Sequence, residues 1–365
     1  MIKLKVNIIK MGYLWVMACS VLMVLGACKK EKINLNQVQV IGSHNSYKIA
    51  IEEPLLDYLY EIDSSKALAL QYDHPTIAKQ LDLGLRNLEL DVFYDPEGGY
   101  YSDPHGLELV KQRGAEAAPF DLHGDLKKPG LKMFHIQEID FRSHNLLFKE
   151  GLKEIKDWSD RHKDHWPIFI LINAKDSKIP NTRDPFKFDN EALNKIDEEI
   201  REVFKGDRLI TPDAVRGHYS TLEEAVLHNN WPLLKKVTGK VLFVLDENEE
   251  KIGRYLKTYP NLENAALFVN RKEGNPEAGF RIINDPVKDH DYIKELVSRG
   301  YMVRTRADAG TKEARGNDYQ RFEKAKSSGA QVISTDYYIP TRLFPSKFQV
   351  VLEGGGYQKL NENQK

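Results

Sequence analysis

Two carboxylates two residues apart, Glu89 and Asp91, lie within one apolar stretch, and two arginines, Arg304 and Arg306, share that spacing in another. On a β-strand, residues i and i+2 point to the same side, so each pair shares a face. Carboxylates converging from one strand suit a hard cation. Asn45 and Asn173 add neutral amide oxygens, and an all-oxygen set without cysteine favours calcium, or else magnesium, over zinc. The alternative is that Glu89 and Asp91 pair with Arg304, Arg306 or Lys175 as a salt-bridge net. Imidazole titrates near neutral pH, so two histidines beside a phosphate could pass protons to and from it. Of the eleven histidines, His44 and His105 are the expected pair. His135 either orients a ligand or fills the core. His74, His123, His144, His162, His165, His218, His228 and His290 fall in helices or loops and are expected to be solvated.

Eight short apolar segments could position these groups: Val38–Ile41, Leu85–Val92, Leu131–Ile136, Ile168–Asn173, Val241–Leu245, Ala265–Val269, Met302–Thr305 and Gln331–Thr335. Most are rich in β-branched residues and short enough for strands. Between them run stretches of helical period, among them Pro75–Leu83, Leu146–Arg161, Glu191–Phe204, Asp291–Ser298 and Tyr319–Ser327. Alternating strands and helices predict an α/β protein with a parallel sheet. Gly84, Gly300 and Gly329 each stand directly before a strand, where a residue at positive φ ends a helix cheaply. Eight near-continuously apolar strands, with no glycine-rich dinucleotide loop after the first, predict a single (β/α)8 TIM barrel. In such barrels reactive groups gather at the C-terminal ends of the strands. His44, Asn45, Glu89, Asp91, His105, His135, Asn173, Lys175, Arg304, Arg306 and Asp336 all fall at or just after those ends.

Residues 1–27 carry Lys3, Lys5 and Lys10 and no acidic residue, followed by an uncharged apolar run from Met11 to Ala27, the layout of a secretory signal. The run ends in Leu25-Gly26-Ala27-Cys28, which resembles the lipobox of bacterial lipoproteins, so Cys28 is the expected lipidation site. Lys29 after it does not resemble an inner-membrane retention signal, and the expected location is an exported lipoprotein at the outer membrane or cell surface. Residues 28–37 read as the lipidated cysteine and a polar tether, 38–345 as the barrel, and 346–365 as a tail that frays from Glu353. Cys19 leaves with the signal and Cys28 carries lipid, so no thiol remains for a disulfide, a zinc cluster or nucleophilic catalysis. Removing three lysines from a net charge of −1 leaves about −4, with both signs interspersed. This excludes nucleic acid as an expected partner, and no protein partner is evident.

Gly42-Ser43-His44-Asn45-Ser46-Tyr47, Leu88-Glu89-Leu90-Asp91-Val92 and Pro104-His105-Gly106 resemble the calcium-dependent phosphoinositide-specific phospholipase C family, in its bacterial branch. Lys132–Ile136 with Asp140–Ser143, Val303–Asp308 and Ser328–Tyr337 agree, and the likeness spans roughly Val38 to Pro345. The resemblance implies attack of an inositol 2-hydroxyl on its own phosphorus, releasing diacylglycerol and a cyclic inositol phosphate. It implies Ca2+ as cofactor, held by Asn45, Glu89 and Asp91. His44 would hydrogen-bond the phosphate, His105 would protonate the leaving alkoxide, and Lys175, Arg304 and Arg306 could hold phosphate groups. The family's glutamate at the end of strand four is matched here by Asn173, which can offer an oxygen to calcium but neither charge nor a base. If a base belongs there, Glu89, Asp91 or His135 could supply it. Two other readings remain open: a glycerophosphodiester phosphodiesterase, whose first histidine is typically followed by arginine and glycine rather than Asn45 and Ser46, and a lipid-tethered barrel that binds inositol phosphates without turnover.

Overall fold

A computed structural model describes residues 32–361; the expected signal and the expected lipidation site, Cys28, lie outside the described residues. The described residues from Asn34 onward belong to one compact unit. Its strands are β1 (Val38–Ser43), β2 (Asn87–Phe93), β3 (Lys132–Met133), β4 (Ile168–Ala174), β5 (Val241–Leu245), β6 (Leu267–Val269), β7 (Phe280–Ile282), β8 (Met302–Arg306), β9 (Val332–Thr335) and β10 (Gln358–Leu360). The order β6-β5-β4-β2-β1-β9-β8-β7 is parallel throughout. A single parallel bridge, Asn270 to Phe280, joins the two end strands. The Asn270 side chain reinforces this seam by accepting hydrogen bonds from Ile282 N and Arg281 Nη1, each at 3.1 Å. The result is a nearly closed eight-stranded α/β barrel.

The crossover helices follow the periodic stretches closely. Ile77–Leu83, Phe148–Arg161, Asn190–Val203, His290–Ser298 and Gln320–Ser327 match the five expected helices to within a turn. In Phe148–Arg161 the buried positions are Phe148, Gly151, Leu152, Ile155, Trp158 and Ser159, the three-and-four spacing of one inward stripe. Gly84 closes its helix at φ 108° and accordingly satisfies two orphan carbonyls through its N–H. Among the described residues no helix is long and apolar enough to cross a membrane.

Three sequence expectations are corrected. Leu131–Ile136 is not a barrel strand: only Lys132–Met133 pairs, antiparallel, against the top of β2. Its apolar residues Leu131, Met133 and Phe134 are buried as a layer lying over that end, and burial alone does not distinguish a cap from a strand. The missing eighth strand is β7, a three-residue segment with Arg281 in the middle and no helix before it, too short to carry a periodic signal. The tail does not fray at Glu353. Phe348, Val350 and Leu352 are buried, and β10 runs antiparallel to β1 with Val38 opposite Leu360 and Val40 opposite Gln358. It takes the edge that β1 leaves open below Gly42, where β2 begins.

Gly42 is required by that close approach of β1 and β2. A Cβ there would lie 2.3 Å from both Asn87 Cβ and the Asn87 carbonyl oxygen. Gly42→Ala is therefore expected to cost about 2–3 kcal/mol through forced displacement of two core strands, read as a lowered midpoint in urea denaturation.

Candidate active site

The segment after β1 is locked to β2 from both sides. Ser46 N donates to the Glu89 carbonyl at 2.9 Å, and Glu89 N donates to Ser46 Oγ at 2.8 Å. Behind them Ser43 Oγ donates to Gln80 Oε1, and Gln80 Nε2 donates to the Ser46 carbonyl, both at 2.6 Å. Asn45 turns through the left-handed region at φ 47°, a conformation asparagine tolerates better than most residues. Its amide nitrogen donates to the Tyr72 hydroxyl at 2.7 Å, which fixes the side chain with its oxygen turned the other way.

His44 stands between two carboxylates and an arginine. Its Nδ1 is 2.9 Å from Asp336 Oδ1, and its Nε2 is 3.6 Å from Glu89 Oε1. Arg306 lies along the ring, its two terminal nitrogens 3.4 Å from the two ring nitrogens, and also reaches Asp336 Oδ2 at 3.5 Å. Burial, reinforced by Arg306, holds the imidazole well below its ordinary pKa. Asp336 N donates to Asp308 Oδ1 at 3.1 Å, and Thr335 Oγ1 donates to Asp308 Oδ2. Burial, with the neighbouring Asp336 charge, pushes Asp308 up to about 7. Burial raises Asp336 as well, with Arg306 opposing the rise.

A second histidine meets a carboxylate in the same way. His135 Nδ1 is 2.7 Å from Asp140 Oδ2, and the other oxygen, Oδ1, receives Lys48 Nζ at 2.6 Å. Lys48 and Asp140 are completely buried side chains. Burial would raise the Asp140 pKa, but Lys48 and His135 overcome it and hold the carboxyl below its ordinary range. Lys48 faces the Tyr72 ring, whose hydroxyl accepts from Asn45 beside His44, so the two histidine–carboxylate pairs serve one barrel mouth.

Asp91 pairs with Asn173 across the β2–β4 ladder, and Asn173 Nδ2 donates to Glu89 Oε1 at 3.3 Å. Glu89 is also bonded to Arg304, which Asn284 holds from its far side. Asp91 Oδ2 is 3.1 Å from Lys175 Nζ. The charge net anticipated as the alternative thus exists. As the side chains stand, no three carboxylate or imidazole groups among the described residues converge on one point; Glu89 is turned onto Arg304 and Asp91 onto Lys175. The donor set nonetheless fits calcium by its chemistry: Glu89, Asp91, Asn45 and Asn173 bring only oxygens, two of the four residues are anionic, and all lie at adjoining strand ends.

The structure brings together His44, Asn45, Glu89, Asp91, His135, Asn173, Lys175, Arg304 and Arg306. It does not bring His105 in. Pro104 starts the helix His105–Gln112, and Gly106 faces inward where any Cβ would strike the Glu138 carbonyl, Phe141 and Leu55. With Gly106, Leu109 and Val110 inward, the His105 side chain is exposed. Arg304 is 1% exposed and sits one layer beneath Arg306, so it balances Glu89 rather than lining the opening. His74 and His165 are buried, contrary to expectation. His74 Nε2 donates to the His44 carbonyl at 2.7 Å, and His165 bonds Ser159. Asp140 and Asp246 are not expected as site residues, and Asp308 and Asp336 are expected only as strand-end polar groups with no role; Asp246 and Asp336 directly follow β5 and β9, and Asp308 lies two residues past β8.

A family model described as phosphoinositide phospholipase C, Ca2+-dependent, matches residues 33–362. Among solved structures the chain is similar to the calcium-dependent phosphoinositol-specific phospholipase C of a Pseudomonas species in apo form. That likeness has 16% identity and a TM-score of 0.56 and covers 90% of this chain and 95% of that one. The myoinositol complex of the Pseudomonas enzyme gives 16% and 0.54 over 90% and 96%. The Ca2+-dependent phosphatidylinositol-specific phospholipase C of Streptomyces antibioticus gives 16% and 0.53 over 85% and 97%. No curated protein matches by sequence. At such identities the structures show the shared barrel, and it is the family match over nearly the whole described chain that assigns this protein to the calcium-dependent phosphoinositide phospholipase C family of phosphodiester-cleaving enzymes.

Proposed function

We propose that the protein cleaves phosphatidylinositol or a related inositol phosphodiester, with His44 and His135 as the proton-handling pair. The observation that carries this is the presence of two histidines at one mouth, each with Nδ1 on a buried carboxylate. A carboxylate only accepts, so each Nδ1 carries the hydrogen and each Nε2 is left to face substrate. His44, kept neutral by burial, accepts the proton of the inositol 2-hydroxyl as that oxygen attacks phosphorus. His135, oriented by Asp140, gives a proton to the departing diacylglycerol oxygen as its bond to phosphorus breaks. The products are diacylglycerol and a cyclic inositol phosphate, with the proton balance closed between the two rings. Arg306 and Lys175, both partly exposed, hold the phosphate oxygens. Calcium, when bound by Glu89, Asp91, Asn45 and Asn173, lowers the pKa of the attacking hydroxyl and offsets charge on the phosphorane oxygens.

A likeness and an expectation from the sequence support an inositol lipid as substrate. The Pseudomonas enzyme of the same fold has been crystallised with myoinositol, and a lipid anchor on Cys28, following an export signal, would hold this enzyme at a bilayer. The test is release of water-soluble inositol phosphate from phosphatidylinositol vesicles. Turnover with calcium that falls at least 100-fold in excess chelator is expected. No turnover with calcium, despite vesicle binding, would overturn this substrate and favour the binding barrel.

A further inference from the structure

We propose that Asp246 is an additional calcium ligand, contributing from β5 the negative charge that Asn173 does not bring from β4; this rests on the calcium-dependent reading above. The ladder places it there. Asp91 is opposite Asn173, and Ile172 is opposite Leu245, so the next rung sets Asn173 beside Asp246. The backbone confirms that the rung continues, since Asp246 N donates to the Ile172 carbonyl at 2.9 Å. Paired residues on neighbouring strands point the same way. Asp91, Asn173 and Asp246 therefore form one inward layer across three adjacent strands.

The neighbouring residue shows which way the chain alternates. Glu247 turns outward from this layer: its Oε1 accepts from Ala174 N at 2.7 Å, and its Oε2 lies 3.2 Å from Lys251. Asp246 is left facing the mouth, where its charge acts with those of Glu89, Asp91 and Arg304. Glu89 is bonded to Arg304 and Asp91 is paired with Lys175, yet the Asp246 carboxylate makes no hydrogen bond or ion pair among the described residues. Three carboxylates thus meet two cations, and the one without a partner is only partly exposed at the rim. A hard divalent ion satisfies that imbalance, and affinity for calcium rises with the number of anionic ligands.

The experiment is calcium titration by calorimetry, with thermal melting in calcium and in chelator as a second readout. It compares wild type with Asp246→Asn and with Asp246→Asn carrying Asn173→Asp. Asp246→Asn is expected to weaken calcium binding about 10- to 100-fold and to shrink the calcium-induced rise in Tm. In chelator it melts at or above wild type, because a like charge has been removed. Asn173→Asp in that background, which returns the charge one strand away, is expected to recover most of the affinity. Asp246→Ser carries the same expectation should the amide not be accommodated. Wild-type affinity in Asp246→Asn and Asp246→Ser overturns the assignment alone. Wild type that binds no calcium by either readout overturns the calcium reading and this proposal together.

Discussion

His135→Ala is expected to lower kcat on phosphatidylinositol vesicles by about 100- to 10,000-fold, the usual worth of a positioned general acid, while His105→Ala stays within about threefold of wild type. The two histidines differ in what surrounds them. The His135 ring is oriented by Asp140, whose other oxygen is committed to buried Lys48, so its Nε2 is held toward the mouth with little freedom to lose on reaction. His105 is exposed on a helix whose inward face is made by Gly106, Leu109 and Val110. Turning it inward would force that face off Glu138 and Phe141. His44→Ala should match His135→Ala in kcat, since each ring carries one half of the proton transfer. Retained calcium affinity in both histidine variants would separate a lost proton from a lost metal. Full activity in His135→Ala with loss in His105→Ala would reverse the assignment and require the helix to move.

Much of this site was legible because strand geometry is rigid. The i, i+2 spacing of Glu89 and Asp91 requires a shared face once β2 exists, and His44, Asn173, Arg306 and Asp336 are marked by standing at or just past the ends of apolar runs. What could not be read is direction where no strand dictates it. Pro104-His105-Gly106 shows its residue types but not that glycine, having no Cβ, takes the crowded inward position and leaves histidine outside. Leu131–Ile136 is as apolar as a strand because it is buried, but it is buried as a cover over β2. It thereby delivers His135 to the mouth from a side that the expected barrel order did not suggest. β7 was missed for the opposite reason: three residues with an arginine between two apolar ones are stabilised by their neighbours, not by pattern. The polar, glycine-rich stretch from Glu353 hid β10, whose pairing is dictated by the open edge of β1. Asp246 follows the same strand-end rule as Asp336 and carries a signal of equal strength.

Asp140→Ala is expected to cost about 3–5 kcal/mol of folding stability in addition to most of the activity, because it strands Lys48 as a buried, uncompensated charge. Lys48 has no exposed side-chain surface and no second carboxylate within ion-pair distance among the described residues. It faces the Tyr72 ring at 5.0 Å, a contact too weak to replace an anion. The dependence on pH has a definite sign. The Asp140 pKa is depressed in the folded state, so its contribution is fully present above the unfolded value near 3.8 and is lost as pH falls through the folded one. The gap between wild type and variant in urea denaturation should therefore be constant across neutral pH and narrow only in strong acid. Replacing both partners, Lys48→Met with Asp140→Leu, removes the stranded charge and should recover much of the stability. Activity should not return with it, because His135 Nδ1 still lacks the acceptor that fixes its tautomer and aims its other nitrogen. A double variant that is both stable and active would mean that the pair serves the fold alone and that His135 needs no orientation from Asp140.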